Sequence, residues 1–436
     1  MRAEITVIGG GLAGSEAAWQ IARLGHRVEL YEMRPVRSTP AHRTDQLAEI
    51  VCSNSLKSNQ PYHASWLLKE ELRRLGSILI RIADSVRVPA GSALAVDRQG
   101  FAELVTDVIS NEPNVHLIRE EVAEIPNAGI VIIASGPLTS PSLSESIRSF
   151  CSSEHLYFYD AISPIIDAET IDHAKVYRGS RYGKAADDYL NCPMDREKYN
   201  AFYEALVSAE SVRIHEFEEA CYFESCLPIE EIARRGRDTL RFGPMRPVGL
   251  IDPISGRMSY AVVQLRQEDL MQSSYNMVGF QNHLKFPEQK RIFRMIPGLA
   301  NAEFLRLGQI HRNTYINAPQ TLLPSLAARR DPRIFFAGQL AGTEGYIENI
   351  ASGFVAGINA VRTTRGEDPL VLPAETAIGA LCRYVSSPQK HFAPMNINFG
   401  LLPEIDVPRR LPKTEKQRLL CERALDLCRP SSTSMV

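Results

Sequence analysis

Residues 5–16 read ITVIGGGLAGSE, an apolar run rich in β-branched side chains that stops at a glycine and continues as Gly-x-Gly-x-x-Gly. A helical pattern follows from Ser15 to Leu24, and a second apolar run over residues 27–31 ends at Glu32. This order predicts a strand, a tight turn, a helix and a second strand. Together they are typical of the opening of a Rossmann-like dinucleotide-binding fold.

Each glycine of this turn has a separate purpose in such a fold. Gly9 allows the sharp turn, Gly11 allows a pyrophosphate to approach the backbone, and Gly14 allows the helix to pack closely on the strand. The phosphates then lie at a helix N-terminus, where unpaired N–H groups favour negative charge. We expect the cofactor to contact residues 9–14, which are Gly9, Gly10, Gly11, Leu12, Ala13 and Gly14.

Glu32 ends the second strand and is placed to accept a hydrogen bond from a ribose 2′-hydroxyl. A carboxylate there disfavours the 2′-phosphate of NADP, so FAD or NAD is preferred. The polar segment 34–59 has no regular period, and we expect it to lie over the open side of the cofactor.

The composition describes an ordinary globular protein of more than one domain. The chain has 436 residues, 44% hydrophobic and 23% charged, with a net charge of −2 that neither predicts nor excludes nucleic-acid binding. No apolar run approaches the roughly 20 residues of a membrane span. The eight cysteines show neither a CxxC pair nor a zinc-binding spacing, which indicates reduced thiols, no metal site and a cytoplasmic protein.

The cofactor pattern returns near the C-terminus. The segment 333–338 predicts a strand that ends at Gly338, and a helix follows from Ile347. We expect the loop between them to complete an FAD site through Gly338, Gly342, Glu344 and Gly345. The predicted architecture is α/β, with a discontinuous Rossmann-like FAD-binding domain (1–160 and 256–436) and an inserted smaller α+β domain (161–255) that binds the substrate.

The chain resembles a known family over nearly its whole length, the folate- and FAD-dependent tRNA (uracil-5-)-methyltransferases, often called TrmFO. Four matching segments are VIGGGLAGSEAA (7–18), EIVCSNSLKSN (49–59), VDRQGFAELV (96–105) and DDYLNCPM (187–194). Five more are FESCLPIEEIARRGRDTLRFGPMRPVGL (223–250), AVVQLRQEDL (261–270), MVGFQNHLKFPEQKRIFRMIPGL (277–299), HRNTYIN (311–317) and FFAGQLAGTEGYIENIASGFVAGINA (335–360).

The resemblance implies methylation of uridine C5 in the T-loop of tRNA, at position 54. Methylenetetrahydrofolate would donate the carbon, reduced FAD the electrons, and NADH or NADPH would reduce the flavin. Whether the carbon passes directly from folate or through a flavin adduct stays open. The alternatives are a small-molecule FAD oxidoreductase without a nucleic-acid substrate and a flavoprotein that only binds RNA.

Two cysteines are candidates for the chemistry, because a thiolate that adds to uracil C6 makes C5 nucleophilic. Cys226 precedes a predicted helix and several arginines, both of which favour a thiolate. The resemblance also implicates Cys52, as a base, a partner thiol or a group on the flavin side. For either residue the alternative is a buried structural thiol.

The remaining candidates bind folate or tRNA. His283 and His311 are possible folate contacts, although a structural role is equally compatible with each residue. Phosphate binding needs clustered cations, and we expect them at Arg234, Arg235, Arg237, Lys285 and Lys290. Charge runs are more often solvated faces, so this expectation depends on the resemblance.

Overall fold

The computed structural model describes residues 4–152, 156–183, 188–212, 227–390, 392–406 and 411–428. Strands are numbered along these residues. They are β1 (Ile5–Ile8), β2 (Val28–Tyr31), β3 (Ser55–Ser58), β4 (Arg87–Val88), β5 (Ala93–Val96), β6 (Val115–Ile118), β7 (Ile130–Ile133), β8 (Leu156–Ala161), β9 (Ile165–Asp167), β10 (Tyr177–Arg178), β11 (Tyr189–Met194), β12 (Ala261–Gln267), β13 (Ser274–Met277), β14 (Phe304–Arg306), β15 (Ile310–Tyr315) and β16 (Ile334–Phe336).

Helices are numbered in the same way. They are α1 (Leu12–Arg23), α2 (Ala64–Leu75), α3 (Ile78–Ser85), α4 (Arg98–Ser110), α5 (Pro141–Cys151), α6 (Arg196–Val207), α7 (Ile229–Arg234), α8 (Thr239–Phe242), α9 (Phe286–Phe293), α10 (Ala318–Thr321), α11 (Tyr346–Thr364), α12 (Ala377–Ser386) and α13 (Lys413–Leu427). Among the described residues, no helix combines the length and the apolar character that crossing a bilayer requires.

A five-stranded parallel sheet organises the first unit of the fold. Its order is β16-β7-β1-β2-β6, so the strand that precedes the glycine turn lies at the centre. Parallel strands are covered on both faces, which is why β1 and β7 read as continuous β-branched runs. The predicted α/β, Rossmann-like fold class is confirmed.

The second unit is built on a six-stranded antiparallel sheet of order β10-β11-β12-β13-β9-β14. Helices α6, α7 and α9 contribute side chains to its core, which is separate from the core of the parallel sheet. This second core contains buried side chains from Ile166 to Ala302. The division that we predicted at residue 255 therefore precedes strands β12 to β14 of the same sheet, and we place the C-terminal limit of the inserted unit near residue 306.

A close backbone contact in the first unit joins the first helix to the late helix α11. Gly353 faces the first turn of α1, where an added Cβ would lie 2.1 Å from the carbonyl oxygen of Ala13. Gly357 lies one turn further along, where an added Cβ would lie 2.7 Å from the carbonyl oxygen of Ala17. Small residues on α11 therefore let two segments far apart in sequence build one half of the fold.

We expect Gly353→Ala to lower the free energy of unfolding by about 1–3 kcal/mol or more, since the new methyl group overlaps backbone. Urea unfolding of the flavin-free protein measures this. Gly11→Ala is the matched control, because a Cβ at Gly11 would meet no described atom within 4 Å. Equal unfolding midpoints for the two variants would contradict the packing described for α1 and α11.

Candidate active site

The glycine turn between β1 and α1 is shaped by two close approaches. Gly9 has a φ of +105°, and a Cβ on it would lie 2.5 Å from the carbonyl oxygen of Ala134. A Cβ on Gly14 would lie 1.8 Å from the carbonyl oxygen of Gly9. Both positions therefore exclude larger residues for reasons of packing within the protein.

Gly11 differs from its neighbours, because a Cβ there would meet no described atom within 4 Å. Gly11 is also the N-cap of α1, whose first turn carries no acidic residue and receives no hydrogen bond from a described capping side chain. The open space thus lies at a helix N-terminus with unpaired N–H groups, which is the arrangement that binds an anion. The turn fits a pyrophosphate.

A cleft runs along this turn and the carboxyl ends of the parallel strands, with about 1040 Å³ of empty space when the solvent at its mouth is included. Six of the predicted cofactor residues line it: Gly9, Gly11, Leu12, Ala13, Glu32 and Gly338. Five other predicted residues are not among the lining residues: Gly10, Gly14, Gly342, Glu344 and Gly345. Ligand sites in α/β folds lie at this edge of the sheet.

Glu32 is buried at the end of β2 and is held as an anion. Its Oε1 accepts hydrogen bonds from the backbone and side chain of Arg34, and its Oε2 accepts one from the amide of Gly10 at 2.9 Å. Burial alone would raise the pKa of Glu32, but its interactions with Arg34 and Gly10 outweigh burial and leave the pKa below its usual range. The carboxylate can therefore accept from a ribose hydroxyl at neutral pH.

The second half-site supports the cleft mostly through packing. The amide of Gly338 donates to Ser352 Oγ at 2.8 Å, which fixes the end of β16 against α11. A Cβ on Gly342 would lie 2.3 Å from the ring of Phe392. Glu344 is buried, and its Oε2 accepts from Gln339 Nε2 at 2.7 Å. Of the predicted residues of this half-site, Gly338 lines the cleft, and so does its neighbour Gln339.

The polar segment after β2 covers one side of the cleft, where the sequence placed it. Arg34, Thr39, His42, Glu49 and Val51 all line the cavity. Burial, reinforced by the charge of Arg34, lowers the pKa of His42 to about 4, so its imidazole is neutral near pH 7. The sequence did not single out Arg34 or His42, because their alignment along the cleft depends on how an irregular loop folds.

Cys52 lies in this segment, half-buried and next to the cleft residue Val51. Its amide and that of Ser53 both donate to the hydroxyl oxygen of Tyr346, at 2.8 and 3.1 Å. The side chain of Tyr346 also lines the cleft. Cys52 therefore adjoins two residues that line the cleft without lining it itself, and its Sγ lies 3.8 Å from the carbonyl oxygen of Ala161. Cys226 lies outside the described residues.

Five other described cysteines are poor nucleophiles. Burial raises the pKa of Cys151 to about 11 and the pKa of Cys382 to about 12. Burial also raises the pKa of Cys421 and of Cys428 to about 12, and it raises the pKa of Cys192 further. Cys221, like Cys226, is not among the described residues.

The two histidines predicted to contact folate have different outcomes. His283 is buried in the second unit, where its Nδ1 lies 2.8 Å from Glu230 Oε1. It is not among the residues that line the cleft. The backbone of His311 lies in β15, and its side chain is outside the described part of the structure. A folate contact at either residue stays a prediction.

The predicted phosphate-binding residues all lie at the surface of the second unit. Three of them pair with glutamates of the same unit, Arg234 with Glu231, Arg237 with Glu204 at 3.2 Å and Lys285 with Glu210. All five residues are exposed and lie on or next to α7 and α9, two helices whose other faces pack in the second core. They are Arg234, Arg235, Arg237, Lys285 and Lys290. Within the described ranges, no group of His, Cys, Asp or Glu side chains is arranged to hold a metal ion.

Comparison with known proteins finds relatives that each match nearly the whole length of this chain. The family model for glucose inhibited division protein A matches residues 4–368. A protein of Solibacter usitatus named methylenetetrahydrofolate--tRNA-(uracil-5-)-methyltransferase TrmFO is 58% identical over 435 residues, covering 98% of both chains. One of the same name from Moorella thermoacetica is 55% identical over 428 residues, again covering 98% of both.

Solved structures agree on the fold. The form II crystal structure of Aquifex aeolicus GidA superposes with a TM-score of 0.68 at 18% identity, covering 97% of this chain and 73% of that one. The form I structure gives a TM-score of 0.69 at 17% identity, covering 98% of this chain and 76% of that one. The two relatives named TrmFO, at 58% and 55% identity over nearly the whole of both chains, identify the chain as a member of the TrmFO family of methylenetetrahydrofolate--tRNA-(uracil-5-)-methyltransferases.

Proposed function

We propose that this chain methylates C5 of a uridine in tRNA, with methylenetetrahydrofolate as the carbon donor. The observation that carries the proposal is the 58% identity, over nearly the full length of both chains, to a protein named for that reaction. The site is compatible with it, since a dinucleotide cleft and a half-buried cysteine lie side by side. We place the enzyme in the cytoplasm and its target at uridine 54 of the T-loop.

FAD is the cofactor that we place in the cleft, because the relatives belong to an FAD-dependent family and the cleft is compatible with it. The open position at Gly11, the N-terminus of α1 and the anionic Glu32 match a pyrophosphate and an adenosine ribose. When bound, the reduced flavin supplies the two electrons that convert a transferred methylene group to methyl. NADH or NADPH would regenerate the reduced flavin.

In this proposal, Cys226 supplies the nucleophilic thiolate. Its sulfur adds to uracil C6, and the C5–C6 π electrons move into the ring as an enolate that attacks the methylene carbon from C5. Loss of the C5 proton expels the nitrogen that carried the methylene carbon and leaves an exocyclic methylene group on C5. This group would become methyl on accepting a hydride equivalent from the reduced flavin, and the electrons returned to the ring then break the C6–sulfur bond and release the thiolate. Cys52, next to the cleft, acts on the flavin side or as the base that takes the C5 proton.

The cationic surface of the second unit is the proposed tRNA contact. We expect replacement of both Arg235 and Arg237 by glutamine to weaken binding of different tRNAs to a similar extent. Contacts to phosphate carry no sequence information, so their loss affects different tRNAs alike. It also reduces the salt dependence of binding. Filter binding at several salt concentrations measures both effects. Arg148→Gln, on α5 of the first unit, is the control, and an unchanged salt slope in the double variant would move the contact surface elsewhere.

Nucleoside analysis tests the function itself. The holoenzyme is incubated with an unmodified tRNA transcript, methylenetetrahydrofolate and NADPH, with NADH in a parallel reaction. We expect 5-methyluridine in the wild-type transcript and none in a transcript with cytidine at position 54. Product from both transcripts would place the target elsewhere, and product from neither would refute the proposal.

A further inference from the structure

The segment 50–54, which carries Cys52, has its carbonyl groups held by two arginines. Arg98 Nη1 donates to the carbonyl oxygen of Ile50, and Arg306 Nη1 donates to that of Val51 at 2.8 Å. The two residues immediately before Cys52 are therefore each fixed by a guanidinium group.

The amide groups of the same segment are held by a single phenol. The hydroxyl oxygen of Tyr346 accepts from Cys52 and Ser53 together, so it fixes the backbone on both sides of the Cys52 Cα. Because Tyr346 opens α11 and lines the cleft, this contact ties the cysteine to the cofactor site itself.

The side chains that follow Cys52 are held by a third arginine. Arg266 Nη2 donates to Ser53 Oγ at 2.6 Å, and its Nε donates to Asn54 Oδ1 at 2.8 Å. Asn54 Nδ2 in turn donates to the carbonyl oxygens of Val96 and Gln267, each at 3.0 Å. Asn54 thereby bridges β5 of the first unit and β12 of the second.

These four residues come from both units of the fold, and we name them the Cys52 clamp. They are Arg98 of α4, Arg266 of β12, Arg306 of β14 and Tyr346 of α11. Two of them belong to the antiparallel sheet of the inserted unit. The position of Cys52 therefore depends on contacts that exist only while the two units are docked.

We propose that the Cys52 clamp is a positioning device, which sets the distance between the Cys52 thiol and the cofactor cleft through the docking of the inserted unit. The effect on turnover rests on the proposed function. The geometry of the clamp does not depend on that function. A displacement of about 1 Å in a reacting group is enough to slow a reaction by about a hundredfold.

The clamp also brings the guanidinium groups of Arg98 and Arg306 close enough to interact with the charge of Cys52, and that of Arg98 is paired with Glu268 Oε2 at 2.7 Å. Burial, with the charge of Arg98 next in size, lowers the pKa of Arg306 to about 10, so its guanidinium stays charged at neutral pH. Arg98 Nη2 and Arg306 Nε are buried and have no hydrogen-bond partner among the described residues. Both arginines therefore keep a donor that can serve a developing negative charge at this site.

Tyr346→Phe tests the clamp, since it keeps the ring in the cleft and removes the acceptor of two amides. Tyr189→Phe is the matched control, because the Tyr189 hydroxyl also joins the two units, donating to the carbonyl oxygen of Ala90 at 2.9 Å. Each holoenzyme is assayed for flavin content, for kcat and KM with tRNA, and for the rate at which iodoacetamide alkylates Cys52, read by peptide mass spectrometry.

We expect Tyr346→Phe to lower kcat by about tenfold or more, with KM for tRNA within about twofold of the wild type and flavin content unchanged. The freed segment should also expose Cys52 to faster alkylation, while Tyr189→Phe changes neither rate. An unchanged alkylation rate in Tyr346→Phe would overturn the proposal, as would lost flavin. If the wild type methylates no tRNA, the proposed function fails and the alkylation rates alone decide on the clamp.

Discussion

Gly11→Val is expected to abolish flavin binding while the protein still folds. The valine side chain would occupy space that no described atom fills, at the helix N-terminus where a pyrophosphate fits. The branched side chain would both overlap the pyrophosphate and hold it away from the unpaired N–H groups at the start of α1, so steric overlap and lost hydrogen bonds together oppose binding. The purified variant should be colourless, and its urea unfolding without flavin should stay within about 1 kcal/mol of the wild type.

Gly14→Ala separates the two ways in which a glycine of this turn can matter. Its methyl group would lie 1.8 Å from the carbonyl oxygen of Gly9, so we expect the variant to lose stability as well as flavin. Flavin loss without unfolding should therefore be specific to Gly11. A Gly11→Val protein that retained stoichiometric flavin would contradict the placement of the cofactor.

Cys226→Ala is expected to abolish methylation and to leave flavin content intact. The thiolate that adds to uracil C6 should be trapped by tRNA carrying 5-fluorouridine at the target position, because fluorine cannot leave as a proton does. The covalent protein–RNA species, seen on a denaturing gel, should vanish in this variant. Cys226→Ser should be almost as inactive, since a hydroxyl has almost no ionised fraction at neutral pH.

Cys52→Ala is the control for that assignment. Lost turnover with the trapped species retained would place Cys52 on the flavin side of the reaction, in agreement with its position next to Val51 and Tyr346. Trapping that disappears with Cys52→Ala and survives Cys226→Ala would reverse the two roles.

The sequence predicts the parallel half of the fold well because its signals are local. The glycine turn, the apolar runs of β1 and β7 and the pattern of each helix are each contained in one contiguous segment of the chain. The helix predicted from Ile347 begins one residue earlier, at Tyr346, and the helical pattern predicted from Ser15 to Leu24 falls on α1 (Leu12–Arg23).

The limits of the inserted unit depend on pairings that leave no local pattern. Strand β9 pairs with β13, so that Ile165 lies opposite Asn276, and β14 pairs with β9 on its other side. A boundary placed at residue 255 from the sequence alone cannot register such long-range antiparallel contacts. The second core then includes segments that the sequence assigned to the cofactor domain.

Some residues of the candidate site could likewise be predicted from the sequence, and others could not. Motif residues such as Gly11 and Glu32 could be predicted, because their roles follow from the turn and from the end of the next strand. Tyr346 and Arg306 could not, since each acts by binding backbone groups of a distant loop. Glu344 matches the expected pattern in sequence, but its carboxylate bonds to Gln339 and it is not among the residues lining the cleft.

The central claim is that the methyl carbon on uridine comes from methylenetetrahydrofolate by the action of this chain. The most direct measurement supplies folate labelled with ¹³C and deuterium in its methylene group, and analyses the tRNA nucleosides by mass spectrometry. The account predicts 5-methyluridine that carries the ¹³C and both deuterium atoms, in a reaction that needs reduced flavin. Unlabelled 5-methyluridine, or none at all with the flavin-loaded protein, would contradict it.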